Sequence, residues 1–161
     1  MRSITFAGLM EKMVAMPAAV EAVALPSIAK AATRVQKTAQ EKFGTYQPGY
    51  GPFEAWAALA TSTVQQKIKA GSAGDDPLIG HYVEKRKSVY PVPLRQSINI
   101  EVSGLSAQIG TNDPLGSWQE LGTARGIPPR PFLRPALWQN EDAIKEDMKA
   151  ALGAGLMALF K

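Results

Sequence analysis

The sequence predicts an α+β fold with N-terminal amphipathic helices, a small antiparallel β-sheet built around a hairpin, and a C-terminal helix. Three observations predict it. Apolar residues recur at steps of three and four near both ends of the chain, the pattern of helices that bury one face. Between residues 98 and 109 apolar and polar residues alternate instead, as on a half-buried strand. The 14 glycines and 12 prolines gather in the middle of the chain and mark a loop-rich centre between two ordered ends. With 161 residues, 45% of them hydrophobic, the chain can bury one good core, so one domain is expected. Its parts are a helical region over residues 1–70, a mobile central loop over 71–93, and a hairpin with the last helix over 94–161.

The first helix is read over residues 18–43, where Val20, Val23, Ala24, Ile28, Ala31, Val35 and Ala39 form one stripe and Lys30, Arg34, Lys37 and Glu41 fall between them. Pro26 lacks a backbone donor and crowds the turn before it, which predicts a kink or a helix that starts near Ser27, with Ser27 as its cap. Gly44 supplies a stop, and Pro48, Gly49, Gly51 and Pro52 make residues 46–53 a loop. Residues 54–70 suit a second helix with Trp56, Leu59, Ala60, Val64 and Ile68 on one side, or one broken in the middle at Thr61, Ser62 and Thr63. Ile98, Ile100 and Val102, then Leu105, Ala107 and Ile109, form two alternating runs joined through Ser103 and Gly104, a hairpin whose turn uses glycine at positive φ. A lone hairpin is marginal in water, so it is expected to lie on the helices and to gain a strand from Val89–Leu94 or from a neighbouring subunit. Asn140 is placed to cap a final helix with Ile144, Met148, Ala151, Leu152, Leu156 and Leu159 on its apolar side.

Composition excludes several chemistries. The chain has no cysteine, which removes disulfides, thiolate metal sites and cysteine nucleophiles and fits assembly in a reducing cytoplasm. No apolar run approaches the roughly 20 residues of a bilayer span, and Glu11 and Lys12 stand where a secretory leader would keep its apolar stretch, so neither a membrane partner nor export is expected. Eighteen Lys and Arg against 14 Asp and Glu give a net charge of +4, mildly basic but dispersed, where a dedicated nucleic-acid binder concentrates its charge on one face.

Between the hairpin and the last helix runs Thr111-Asn112-Asp113-Pro114-Leu115-Gly116-Ser117-Trp118-Gln119-Glu120-Leu121-Gly122-Thr123, followed by Ala124-Arg125-Gly126-Ile127-Pro128-Pro129-Arg130-Pro131-Phe132-Leu133-Arg134-Pro135-Ala136. The order is a strand, a short helix ending in Glu-Leu-Gly-Thr, a proline-rich linker, and Arg-Pro-Phe-Leu-Arg-Pro-Ala before an end helix. In this order the chain resembles the neck, tail-completion and minor tail proteins that join head to tail in long-tailed bacteriophages and prophages, the gene-product-ten-like tail components. Pro77-Leu78 and Leu94-Arg95-Gln96-Ser97-Ile98 match two further family elements across an apparent insertion, while the family's Thr-Gly element is missing. The likeness covers the C-terminal half; the first 70 residues share only helical character.

The resemblance implies a non-enzymatic virion protein at the head-tail junction. It would act in assembly as a homo-oligomeric ring or by docking on a connector, stopper, tail terminator or tail tube. Trp118, Glu120, Leu121, Gly122, Thr123, Arg130, Phe132, Leu133 and Arg134 are then the candidate partner-interface residues. Elementary chemistry gives the segment that capacity: Gly122 frees the backbone to turn after a helix carrying Trp118 and Leu121, Phe132 and Leu133 supply apolar anchors, and the arginine forks of Arg130 and Arg134 make directed contacts with carboxylates. For Phe132 and Leu133 the first reading is that they tack the last helix onto the core of the same subunit, since buried aromatics usually belong to a core, and Arg130 and Arg134 are the better interface candidates.

No catalytic, cofactor or metal residues are expected. His81, with Glu84 three residues on, could be a base and its orienting partner, but Asp75 and Asp76 lack metal-ligand spacing, and a solvated loop accounts for all four. There is no Gly-x-Ser-x-Gly turn and no phosphate-cradling glycine loop. Lys85-Arg86-Lys87, flanked by Tyr82 and Tyr90, reads first as a solvated face. In a ring that passes the genome it is the segment to place near DNA. A small basic nucleic-acid-binding protein is the rival reading, and steep loss of binding with salt would mark it.

Overall fold

A computed structural model describes residues 6–69, 71, 74–78 and 93–159. The elements in chain order are α1 (Phe6–Glu41), α2 (Thr61–Lys69), β1 (Asn99–Ser103), β2 (Ser106–Gly110), α3 (Pro114–Leu121) and α4 (Leu133–Leu159). The fold is α+β, with a two-stranded antiparallel sheet between the helical ends.

Helices α1 and α4 lie antiparallel along their length. Contacts descend in order: Phe43 meets Phe132 edge-on at 5.1 Å, and Thr38 Oγ1 accepts from Asn140 Nδ2. Lys30 and Arg34 then grip Asp147 at 3.2 and 2.9 Å, Gly155 sits against Val23, and Lys12 Nζ donates to the Leu159 carbonyl. The expected stripe of α1 faces inward, with Ala24, Val35 and Ala39 buried. Together with Phe43, Trp56, Ile98, Phe132 and Ala136 the lower part of α1 forms the core, and Leu78, Leu94, Ile109, Leu133 and Ile144 pack on it.

Several expectations are corrected. Helix α1 begins at Phe6 and continues through Pro17 and Pro26, and Ser27 is not a cap: its hydroxyl donates to the Val23 carbonyl inside the helix. Both prolines are exposed, as are Met13 and Ala22, whose carbonyls they leave unpaired, so water can satisfy those groups while packing on α4 bridges the break. Because only Glu21 is charged between Lys12 and Lys30, α1 also contains an 18-residue window of mean hydropathy 1.3, long and apolar enough by length and composition to cross a membrane. The second helix is shorter than expected and leaves Trp56 and Leu59 ahead of it in an extended segment. Asn140 lies a full two turns inside α4, where its amide donates to the Ala136 carbonyl.

The hairpin forms with its turn one residue later than expected. Ser103 pairs with Ser106, so Gly104 and Leu105 make the turn, Gly104 takes φ +53°, and Leu105 is exposed instead of on a strand. The pairs Ile100 with Ile109 and Val102 with Ala107 put the apolar side chains on one face, as alternation requires. Gln36 of α1 donates to the Ile98 carbonyl at 2.6 Å, tying the sheet to the helix. Leu94–Ser97 is a turn, so the described part of the anticipated third strand is not a strand. The remainder of it, with His81, Tyr82, Glu84, Lys85, Arg86, Lys87 and Tyr90, lies outside the described residues.

Phe132→Ala should lower stability by about 3–5 kcal/mol, because it leaves a cavity against Phe43 in a packed core. Phe6→Ala, at an exposed position, should stay within about 0.5 kcal/mol of wild type. Urea unfolding followed by circular dichroism measures both.

Candidate functional site

The motif region from Thr111 to Ala136 is built by three short-range devices. Asp113, with φ −75° and ψ 120°, caps α3 by accepting from Leu115 N at 2.9 Å, and Pro114 occupies the first helical position, where a missing N–H costs nothing. Gly122 ends α3 with φ +74°, and a Cβ there would stand 2.8 Å from the Ile127 carbonyl. The chain then folds into a tight turn in which Thr123 N donates to Ile127 O and Thr123 Oγ1 accepts from Ile127 N.

Glu120 closes the arrangement. Its carboxylate accepts from the backbone N–H groups of Phe132, Leu133 and Arg134 at 2.7, 2.9 and 3.0 Å. Arg134 Nε completes the pair at 3.0 Å while Arg134 Nη2 reaches back to the Glu120 carbonyl. A helix leaves four N–H groups without internal partners at its start; here one carboxylate takes three, and the fourth position is Pro135, which has no N–H. A negative charge at a helix N-terminus is also favourable in itself. Helix α4 therefore starts at Leu133, seven residues before the expected cap at Asn140.

Arg130 and Trp56 bind the segment to residues 56–58. The Arg130 guanidinium donates to the carbonyls of Ala57 and Ala58, Arg130 N donates to Gln119 O, and Trp56 Nε1 donates to Pro131 O at 3.1 Å. Burial pushes the Arg130 pKa below its ordinary value, against a smaller opposing effect of Tyr46. Arg134 also lies over the Phe53 ring at 5.7 Å.

The sequence-derived interface residues thus divide into two groups. Glu120, Arg130 and Phe132 are buried, and Leu133 is half-buried against the core; these are the residues that hold α4 to the same subunit. Arg134 is half-exposed yet committed to Glu120. Trp118 and Leu121 face outward, 47% and 65% exposed, and Gly122 and Thr123 shape the turn beside them. Sequence reasoning did not anticipate that Arg125, Ile127, Leu137 and Trp138 are also exposed. The signal was present for Leu137 and Trp138: they sit between the inward positions Ala136 and Asn140 on a helix whose apolar run is wider than one face.

A second feature is a cleft of about 50 Å³ lined by Lys42, Tyr50, Phe53, Trp56, Pro131 and Gln139 among others, large enough for a water or two. Lys42 is buried, its Nζ donates to Gln139 Oε1 at 2.9 Å, and desolvation lowers its pKa. Among the described residues no group of His, Asp and Glu is placed to hold a metal ion.

Glu120→Ala should cost at least about 3 kcal/mol, since it strands three backbone donors and the Arg134 charge at a largely buried point; Glu120→Gln, which keeps an acceptor oxygen, should cost less. Equilibrium urea curves with unchanged slope would report both. For Lys42 the sign runs with pH: its depressed folded pKa disfavours the folded state while both states are charged, and this penalty disappears as pH rises from the folded value towards about 10.4. The stability of wild type relative to Lys42→Met should therefore rise across that alkaline window, as measured by denaturation at a series of pH values. No protein-family model, curated protein or solved structure matches this chain.

Proposed function

We propose that this chain is a non-enzymatic structural subunit of a long-tailed phage or prophage particle, acting at the head-tail junction by self-association or by docking on neighbouring rings. The observation that carries this reading is the outward placement of Trp118 and Leu121 on a helix that Glu120 locks from behind. Large apolar side chains presented to solvent by a fixed helix are suited to association, because the ordering of their backbone is already met by the fold. The resemblance of residues 111–136 to neck and tail-completion proteins supplies the setting. Virion location, assembly in the host cytoplasm and contact with connector, stopper, terminator or tube belong to the same proposal.

Static light scattering on the purified protein, alone and mixed with heads or tails, tests it. A discrete oligomer or a particle-bound form that persists as salt rises is the expected result, since apolar contacts resist screening. A monomer that ignores particle parts and binds DNA only at low salt would favour the nucleic-acid reading. Phe132 and Arg130 are unsuitable probes because their loss attacks the core. Trp118→Ser with Leu121→Ser should leave the fold intact and weaken association by at least about tenfold, the loss of roughly 1.4 kcal/mol or more from two exposed anchors.

A further inference from the structure

We propose that the exposed apolar stripe at the N-terminal end of α1 receives the Trp118–Leu121 face of a second copy of this chain, with Arg125 of one copy set between Glu11 and Glu21 of the other, which stand about 15 Å apart along α1. The proposal rests on the self-assembly reading above and names the surfaces that would perform it.

Phe6, Met10 and Val14 succeed one another at steps of four, with Met13 beside them, and all four are exposed; Phe6 and Val14 reach 78%. Phe6 and Met10 precede Lys12, which stands beside the carbonyl of Leu159, and have no helix alongside among the described residues, while Met13 and Val14 follow it and are exposed beside α4. Glu11 lies three residues before Val14, and Glu21 falls four residues beyond Pro17 on the same exposed side. Neither carboxylate is in an ion pair among the described residues.

Two carboxylates in no ion pair among the described residues, Glu21 in line with the stripe and Glu11 at its edge, suit neither a lipid interface, which favours lysine and arginine there, nor a phosphate backbone. The fitting partner is apolar and basic. Such a surface exists on this chain: Trp118 and Leu121 occupy one side of α3, Ile127 is exposed after the next turn, and between them stands exposed Arg125, in no ion pair among the described residues. The two surfaces sit at opposite ends of α4, about 40 Å apart at 1.5 Å per residue over its 27 residues. The contact is therefore between unlike surfaces of two copies, the kind that generates a ring when its rotation closes.

The test is a charge exchange on the full chain, read as molar mass against concentration with circular dichroism as the fold control. Arg125→Glu alone, and Glu11→Arg with Glu21→Arg, should each weaken self-association by at least about tenfold. An equimolar mixture of the two variants should regain wild-type association to within about threefold, because every contact between unlike variants again pairs opposite charges. Unaltered association in all variants would overturn this pairing and leave the assembly reading standing. Folded variants whose mixture fails to recover would overturn it too, as would binding of the wild-type stripe to phosphatidylcholine or phosphatidylglycerol vesicles in place of self-association. A wild-type chain that stays monomeric with and without particle parts would remove both this pairing and the function it rests on.

Discussion

The carboxylate of Glu120 sets the start of α4, and the start of α4 sets most of the packing elsewhere in the fold. With three N–H donors held on one side chain and proline at the fourth place, the first turn cannot slide along the helix without stranding a buried donor. That anchoring fixes the register in which α4 meets α1, from Phe132 on Phe43 through Asn140 on Thr38 to Gly155 on Val23. It also fixes α3, because successive residues of a helix turn by about 100° and Glu120 must point inward. Trp118, two residues earlier, and Leu121, one later, are thereby turned away from the junction. The same bond that closes the core presents the exposed surface.

Isolated, α3 would have little helix content, since its eight residues are far below the length at which helices persist in water. Asp113 caps one end and the Glu120 contacts hold the other, so tertiary structure supplies what propensity does not. The hairpin is in the same position. Two strands are marginal alone, and this pair is held by Gln36 of α1 on the Ile98 carbonyl and by the burial of Ile98 itself.

The parts of this arrangement that sequence reveals are those carried by local periodicity. The inward stripe of α1, the alternation across the hairpin and the apolar side of α4 were all legible, because each depends on spacing within one element. The places where the reading departs from the structure depend on partners distant in sequence. A helix running through Pro26 needs α4 beside it; the start of α4 at Leu133 needs a carboxylate 13 residues away. Pro135 in the first helical turn was a local hint of that start, since proline is tolerated there and hardly further in. Of the candidate site, the segment was legible as a unit, but the division between inward Glu120, Arg130 and Phe132 and outward Trp118 and Leu121 was not, because it is imposed by the cap.

That division has a thermodynamic consequence. Glu120 and Leu121 are neighbours on one short helix, so any partner that binds the outward face of α3 only when the helix is formed also favours the capped state of α4. The linkage is reciprocal: the free energy by which association stabilises the fold equals that by which the formed cap strengthens association. In a chain built this way the core and the exposed side of α3 are not separable designs. A substitution at Glu120 would weaken any binding at that side without touching the bound molecule, and anything bound at Trp118 would protect the start of α4 from local opening without touching Glu120.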